Sequence, residues 1–243
     1  MTVDTAMVMA AGLGTRMRPL TENCPKPLVK VAGKALLDHV LDKARRAGVT
    51  KAVVNVHYLP DQIEAHMAAH AQDLDILISD ERDLLLETGG GLVKAAPKIA
   101  ADPFYCLNSD AVWTEEGAED ALVSLAKAWD DARMDGLLLL VPKDRAFCHS
   151  GKGDFNLDGS QRLVRRGDNP EADFVFTGNQ LLSHRLLRDA PSGPFSTNKL
   201  WDRAIAEGRL YGIVHQGDWF DIGSPQAIKP AEAALNAHFV ANG

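Results

Sequence analysis

The strongest constraint on this chain is the alternation of short apolar runs with amphipathic stretches through its first third. Ala6-Met7-Val8-Met9 is apolar enough to cross a buried sheet as a first strand. Leu36 to Ala47 then places Leu36, Leu37, Val40, Leu41 and Ala44 at helical spacing, with Gly48 as its stop. Ala52-Val53-Val54-Asn55-Val56 reads as a second buried strand, a helix begins after Pro60, and Asp75-Ile76-Leu77-Ile78-Ser79 is the third strand. This order predicts a mostly parallel sheet with helices on both faces, a three-layer α/β/α domain. Ligands of such sheets sit beyond the carboxyl ends of the strands.

The loop after the first strand lies at such an end. It runs Ala10-Ala11-Gly12-Leu13-Gly14-Thr15-Arg16-Met17-Arg18-Pro19-Leu20-Thr21 and is followed by Pro25-Lys26-Pro27-Leu28. Two glycines let the backbone turn and expose its N–H groups, while Arg16, Arg18 and Lys26 set cations beside them, a combination suited to phosphate. Two common nucleotide motifs do not fit. A dinucleotide fingerprint needs a third glycine where Met17 stands and a helix directly after it, which Pro19 and Pro25 prevent. A P-loop needs Gly-Lys-Ser/Thr, and Gly33-Lys34 continues into alanine. Taken alone, the glycine pair also suits an ordinary strand-to-loop turn with solvated arginines.

Further segments fall at the same edge. Glu87-Thr88-Gly89-Gly90-Gly91 precedes the helix-like Leu92 to Ala96, and its glycines, Gly89 and Gly90 foremost, would let a flat base lie against free N–H groups; a flexible helix start is the other reading. Phe104 to Asp110 is an apolar strand ending in a carboxylate. Beside a phosphate-gripping loop, Asp110 suits a Mg²⁺ ligand, and equally a turn cap. Helix Ala118 to Trp129 and strand Leu137 to Val141 follow. His149 to Gly159 with Arg162 to Arg165 then reads as a hairpin turning at Asp158-Gly159, an antiparallel insertion over the site within residues 143–178. Phe174 to Gly178 is a strand ending in glycine, and Leu200 to Gly208 is a helix with Trp201, Ala204 and Ile205 facing the core. Gly217 to Pro225 carries Asp221, locally a turn residue, before a terminal Ala-rich helix starting at Pro225.

Composition closes off other classes. A net charge of −7 excludes a nucleic-acid or anionic-membrane partner, yet leaves room for phosphate ligands held by a few local cations. Cys24, Cys106 and Cys148 are odd in number and lack histidines at ligand spacing, so neither a disulfide framework nor a zinc site is expected; a reducing cytoplasm fits. No targeting signal, membrane span, internal repeat or low-complexity linker is read, and residues 1–243 are expected to form one domain.

The ordered stretch Ala-Ala-Gly-Leu-Gly-Thr-Arg-Met-Arg-Pro-Leu-Thr with Pro-Lys-Pro-Leu resembles the signature of the sugar-1-phosphate nucleotidyltransferases, and the likeness runs over nearly the whole chain. It implies a Rossmann-like sheet and attack of a sugar-1-phosphate oxygen on the α-phosphorus of a nucleoside triphosphate, assisted by Mg²⁺. In that light Arg16 and Lys26 become catalytic cations, and Ala11, Gly12, Gly14, Thr15, Glu81, Gly89, Gly90 and Asn108 nucleotide contacts. Asp154, Thr177 and Gly178 would face the sugar, and Asp110 and Asp221 would hold the metal. Ser109 departs from the small residue usual before the first aspartate. Leu-Glu-Thr-Gly-Gly-Gly and Gly-Lys-Gly-Asp-Phe resemble the muramate-type branch, favouring UTP with N-acetylmuramate 1-phosphate. Guanylyl or uridylyl transfer to mannose, heptose or glucose 1-phosphate is the competing expectation, and a non-catalytic nucleotide-sugar sensor the rival of another class. The C-terminal β-helix of many larger members is not expected.

Overall fold

The computed structural model describes residues 2–116 and 119–242. Its central sheet begins with β1 (Thr5–Met9). A small ribbon, β2 (Lys30–Val31) with β3 (Lys34–Ala35), leads into α1 (Leu36–Arg46) and β4 (Lys51–Val56). Then come α2 (Pro60–His70), β5 (Asp75–Asp80), α3 (Glu87–Ala95) and β6 (Phe104–Asn108). Strands β4 and β6 flank β1, β5 lies outside β4, and all four run parallel, as the alternation requires.

The second half adds β7 (Ala111–Trp113), α4 (Ala121–Ala128), β8 (Gly136–Pro142), β9 (Ala146–Phe147), β10 (Phe155–Leu157), β11 (Leu163–Arg165) and β12 (Phe174–Leu182). The chain closes with α5 (Asn198–Ala206), β13 (Leu210–Val214), β14 (Trp219–Asp221) and α6 (Ile228–Asn242). Strand β12 runs antiparallel between β6 and β8, and β13 extends the sheet beyond β8. The expected start of α4 at Ala118 lies outside the described residues; the helix is seen from Ala121.

Period-two burial puts the two faces of the sheet into separate cores. Ala6, Val8, Val54, Tyr105, Leu107, Leu137 and Leu139 meet α1, α2 and α4 on one side. Met7, Val53, Phe104, Cys106, Leu138 and Leu140 meet α3 and α5 on the other. All five apolar positions of the α1 stripe are buried. A third, smaller core joins Met17, Val29 and Val31 of the opening loop to Val112, Phe220 and Ile222 and to Ala231 and Leu235 of α6. That core holds the loop against a separate three-stranded sheet, β7-β14-β9.

Two expectations change in detail. The hairpin forms, but its loop spans 158–162: Asp158 Oδ1 accepts from the N–H groups of Ser160 and Arg162, and Gln161, not Gly159, takes the positive φ. Strand β12 does not end at Gly178; it runs on to Leu182 through a register shift between Phe176 and Gln180, with Gly178 at φ 86°.

Candidate active site

The opening loop leaves β1 and is fixed by its own turns. Gly14 has φ 62°, and a Cβ there would lie 2.9 Å from Lys26 Cβ, so glycine is needed for both conformation and closeness. Its carbonyl accepts from Thr21 Oγ1 (2.8 Å) and Met17 N (2.9 Å), and Tyr58 Oη donates to the Thr21 carbonyl (2.9 Å). Lys26 sits in a short turn between two prolines and is only 9% exposed. Its ammonium donates to Asp110 Oδ2 at 2.9 Å. A Cβ on Gly12, in contrast, would meet nothing within 4 Å, so no protein contact dictates that glycine.

Asp110 and Asp221 come from opposite halves of the sequence. Asp110 directly precedes β7 and Asp221 ends β14; the two strands pair antiparallel, and Ile222 N donates to the Asp110 carbonyl (3.2 Å). Ser109 is accounted for, because its hydroxyl donates to the Met9 carbonyl at 2.7 Å and ties this corner to β1. Burial pushes the Asp221 carboxyl above the usual carboxylate range, and the charge of Asp110 pushes it the same way; Lys26, Arg16 and His149 oppose both. A cleft-lining carboxylate with a second, half-buried one on the paired strand beside it suits a hard divalent cation that takes its other ligands from phosphates and water. Among the described residues no cluster of three or more His, Cys, Asp or Glu offers a closed protein cage.

The cleft has two adjoining halves sharing Gly12, Lys26 and Asp110. One, about 180 Å³, is lined by Ala10, Ala11, Asn55, Thr88, Asn108 and Ser109 among others. The other, about 320 Å³, is lined by Leu13, Gly14, Thr15, Arg16, Leu85 and Gly223. Arg16 is exposed there, its guanidinium 2.9 Å from where a Gly223 Cβ would stand and so close to Asp221.

Several expected contacts are placed otherwise. Gly89 and Gly90 lie inside the first turns of α3, and both N–H groups donate to the Phe195 carbonyl (2.8 and 3.2 Å), so they are not free for a base. These glycines let the 193–195 segment approach; Cβ atoms there would collide with Phe195 and the Gly193 carbonyl. Glu81 is wholly buried, with both oxygens bound to protein donors. Thr177 is buried, and its hydroxyl donates to the Leu139 carbonyl (2.9 Å). Asp154 is exposed and accepts from Phe176 N (2.9 Å), bracing β12. Gly178 faces the cleft only through Asn108, whose Cβ would be 2.8 Å from an added methyl. No residue of 143–178 lines either half: Leu157 and Leu163 of the hairpin pack beside Gly212 instead.

Sequence reasoning missed Asn55 and His149. Asn55 was signalled as the one polar residue of an apolar strand; it now lines the cleft. His149 follows β9, and its Nδ1 lies 3.8 Å from Asp221 Oδ2; no local pattern marks it. No helix among the described residues is long and apolar enough to cross a membrane.

The chain is 46% identical over 234 residues to N-acetylmuramate alpha-1-phosphate uridylyltransferase of Caulobacter vibrioides, covering 95% of this chain and 96% of that protein. It is 32% identical to the protein of the same name from Neisseria meningitidis serogroup B, covering 96% and 98%. The structure of the inositol-1-phosphate CTP transferase from T. maritima superposes with a TM-score of 0.77 at 17% identity, covering 96% of this chain and 95% of that one, which speaks for the fold. The family profile described as Nucleotidyl transferase matches residues 5–150, and on these findings the chain belongs to the nucleotidyl transferase family.

Proposed function

We propose that this chain transfers a uridylyl group from UTP to N-acetylmuramate α-1-phosphate, releasing pyrophosphate. The observation that carries the reading is the convergence of Lys26, Arg16 and Asp110 on the cleft that the open backbone of Gly12 lines, with Asp221 close enough to feel the charge of all three. A sensor has little use for buried Lys26 beside two carboxylates. The substrate pair follows the two relatives matched over nearly their full lengths, and agrees with the Leu-Glu-Thr-Gly-Gly-Gly and Gly-Lys-Gly-Asp-Phe segments.

The nucleophile is a sugar-phosphate oxygen, already ionised at neutral pH. It attacks the α-phosphorus, the bond to the bridging oxygen breaks, and pyrophosphate leaves with that electron pair. No strong general base is required, so positioning and charge neutralisation carry the catalysis. Lys26, held before substrate arrives, neutralises charge on the α-phosphoryl group, and Arg16 neutralises the departing pyrophosphate. Ala11, Gly12, Gly14 and Thr15 support the triphosphate. The sugar lies towards Asn108 and Gly178, with Asp154 and Thr177 shaping that end indirectly. Use of a divalent metal is general to the family. Asp110 and Asp221 would hold Mg²⁺, which when bound supplies a Lewis acid that offsets repulsion among the phosphates. Residues 1–243 act as one catalytic unit, working in a reducing cytoplasm where Cys24, Cys106 and Cys148 stay free.

The test is a matrix of UTP, CTP, GTP, ATP and dTTP against the 1-phosphates of N-acetylmuramate, N-acetylglucosamine, glucose, mannose and heptose, scored by Mg²⁺-dependent pyrophosphate release. UTP with N-acetylmuramate 1-phosphate is expected to give the highest kcat/KM. A preference for GTP with mannose or heptose 1-phosphate replaces the substrate assignment, and silence with every pair rejects the enzyme.

A further inference from the structure

A fully buried carboxylate lies behind the nucleotide half of the cleft without touching it. Glu81, just past β5, has no exposed surface. Its Oε1 accepts from Asn55 Nδ2 at 2.7 Å, and its Oε2 accepts from Leu86 N at 3.1 Å. Asn55 in turn accepts, through Oδ1, from Ala10 N at 2.7 Å. The 2.7 Å between Glu81 Oε1 and the position of a Gly91 Cβ shows that α3 makes room for this carboxylate.

The two branches end on different walls of one cavity. Ala10 begins the wall that continues through Ala11 and Gly12, and Leu86 precedes Glu87 and Thr88 on the other. Direction along the chain of bonds is fixed, because Ala10 and Leu86 contribute N–H groups that can only donate. Asn55 must therefore turn its oxygen to Ala10 and its amide hydrogens to residue 81, which has to accept on both sides. Of glutamate and glutamine, which share this shape, only glutamate presents two oxygens to accept. A carboxyl buried for filling alone would be an expensive choice.

We propose that Glu81 is a positioning residue for the nucleotide, its two oxygens setting the separation of the cavity walls through Asn55 and Leu86. This rests on reading the cleft as a nucleotide site. Glu81→Gln keeps the shape and forces a donor against a donor. If its amide faces Leu86, that N–H loses its acceptor. If its amide faces Asn55, the asparagine must flip and oppose Ala10. Adding Asn55→Asp restores every donor to an acceptor. The carboxylate introduced at position 55 accepts both from the amide introduced at position 81 and from Ala10 N, while the oxygen of that same amide accepts from Leu86 N.

Isothermal titration with MgUTP alone, steady-state kinetics and thermal melting together test this. E81Q is expected to weaken UTP binding and raise its KM about tenfold or more, the scale of one mispaired buried hydrogen bond. The KM for sugar 1-phosphate and kcat at saturating UTP are expected to stay within about threefold, a split that a loss of fold would not give. N55D alone sets two carboxylates face to face and is expected to be the worst binder; E81Q with N55D is expected to recover to within about threefold of wild type, a double-mutant coupling. Equal UTP binding by E81Q and wild type overturns the proposal, as does a double variant no better than the singles. If E81Q fails to fold, the double variant must fold and bind UTP, or the proposal falls. Wild type that binds no nucleoside triphosphate overturns the functional reading instead.

Discussion

Replacing Lys26 by methionine removes a cation while keeping an unbranched stem of similar length. The ammonium is fixed 2.9 Å from Asp110 Oδ2 before any substrate is present. Loss of one such pre-organised group costs about 10²–10³ in turnover, roughly 2.7–4 kcal/mol. Stability is expected to suffer less. The Asp110 side chain is 40% exposed, so water solvates the carboxylate left behind. A partly exposed charge-assisted hydrogen bond contributes at most about 1.5–3 kcal/mol, less with solvent screening. That corresponds to under about 10 °C in melting temperature for a chain of this size. The measurement is pyrophosphate release at saturating substrates, paired with a thermal melt of the same preparation. The expected result is a kcat lower by about 10²-fold or more in a protein that remains folded at the assay temperature. Turnover within about threefold of wild type, or a loss that merely tracks unfolding, refutes the assignment of Lys26 to the transition state.

Asp221→Asn is expected to stabilise the protein at pH 7 while abolishing metal-dependent turnover. Because the folded-state pKa of Asp221 is raised, the folded protein binds more protons between the unfolded and folded values, so stability falls as pH rises through that window. The gain in melting temperature should therefore shrink as pH falls through about 4 and vanish well below it, where both states are protonated, and a lower melting temperature at pH 7 refutes the account by burial and repulsion. Gly14→Ala, strained at φ 62° and pressed on Lys26, is expected to lose about 1–3 kcal/mol in a urea melt. Gly12→Ala is expected to melt within about 0.5 kcal/mol of wild type yet raise the KM for UTP. An unchanged KM in that folded variant would move the triphosphate off this loop.

Most of the sheet was legible because its strands carry their own signals, whereas β13 (Leu210–Val214), which extends it beyond β8, was not read. Ala6 to Met9, Ala52 to Val56 and Leu137 to Val141 are apolar on both faces, as a strand covered by helices on both sides must be, and α1 shows its buried stripe directly. The antiparallel direction of β12 could not be read the same way. Gly178 looks like a terminator in sequence, yet it is a bulge that lets β12 pass Asn108 and continue between β6 and β8. Periodicity registers burial; it carries no information on whether a neighbouring strand runs up or down.

The site divides along a similar line. Gly12, Arg16, Lys26 and Asp110 were readable because loop chemistry and a strand end mark them locally. The glycine triplet was misread because glycine has two uses with one spelling. Gly89 and Gly90 look like an open backbone, but their N–H groups close on Phe195, a residue more than a hundred positions away. Glu81 shows the same ambiguity for a carboxylate: the family resemblance offers it to the nucleotide, while Asn55 and Leu86 engage both of its oxygens from behind the cavity. The pairing of Asp110 with Asp221 depends on β7 and β14, three residues each, too short for any period to register. What joins them is the Ile222 to Asp110 backbone bond and the small core of Val112, Phe220 and Ile222. The same core holds Met17 and Val29, which flank Lys26 in the chain. One apolar cluster therefore joins the lysine turn to both carboxylate-bearing strands, while Ala111, Trp113, Trp219 and Leu28 tie the same segments to the core under α1, α2 and α4, so cation and metal ligands are held from two sides.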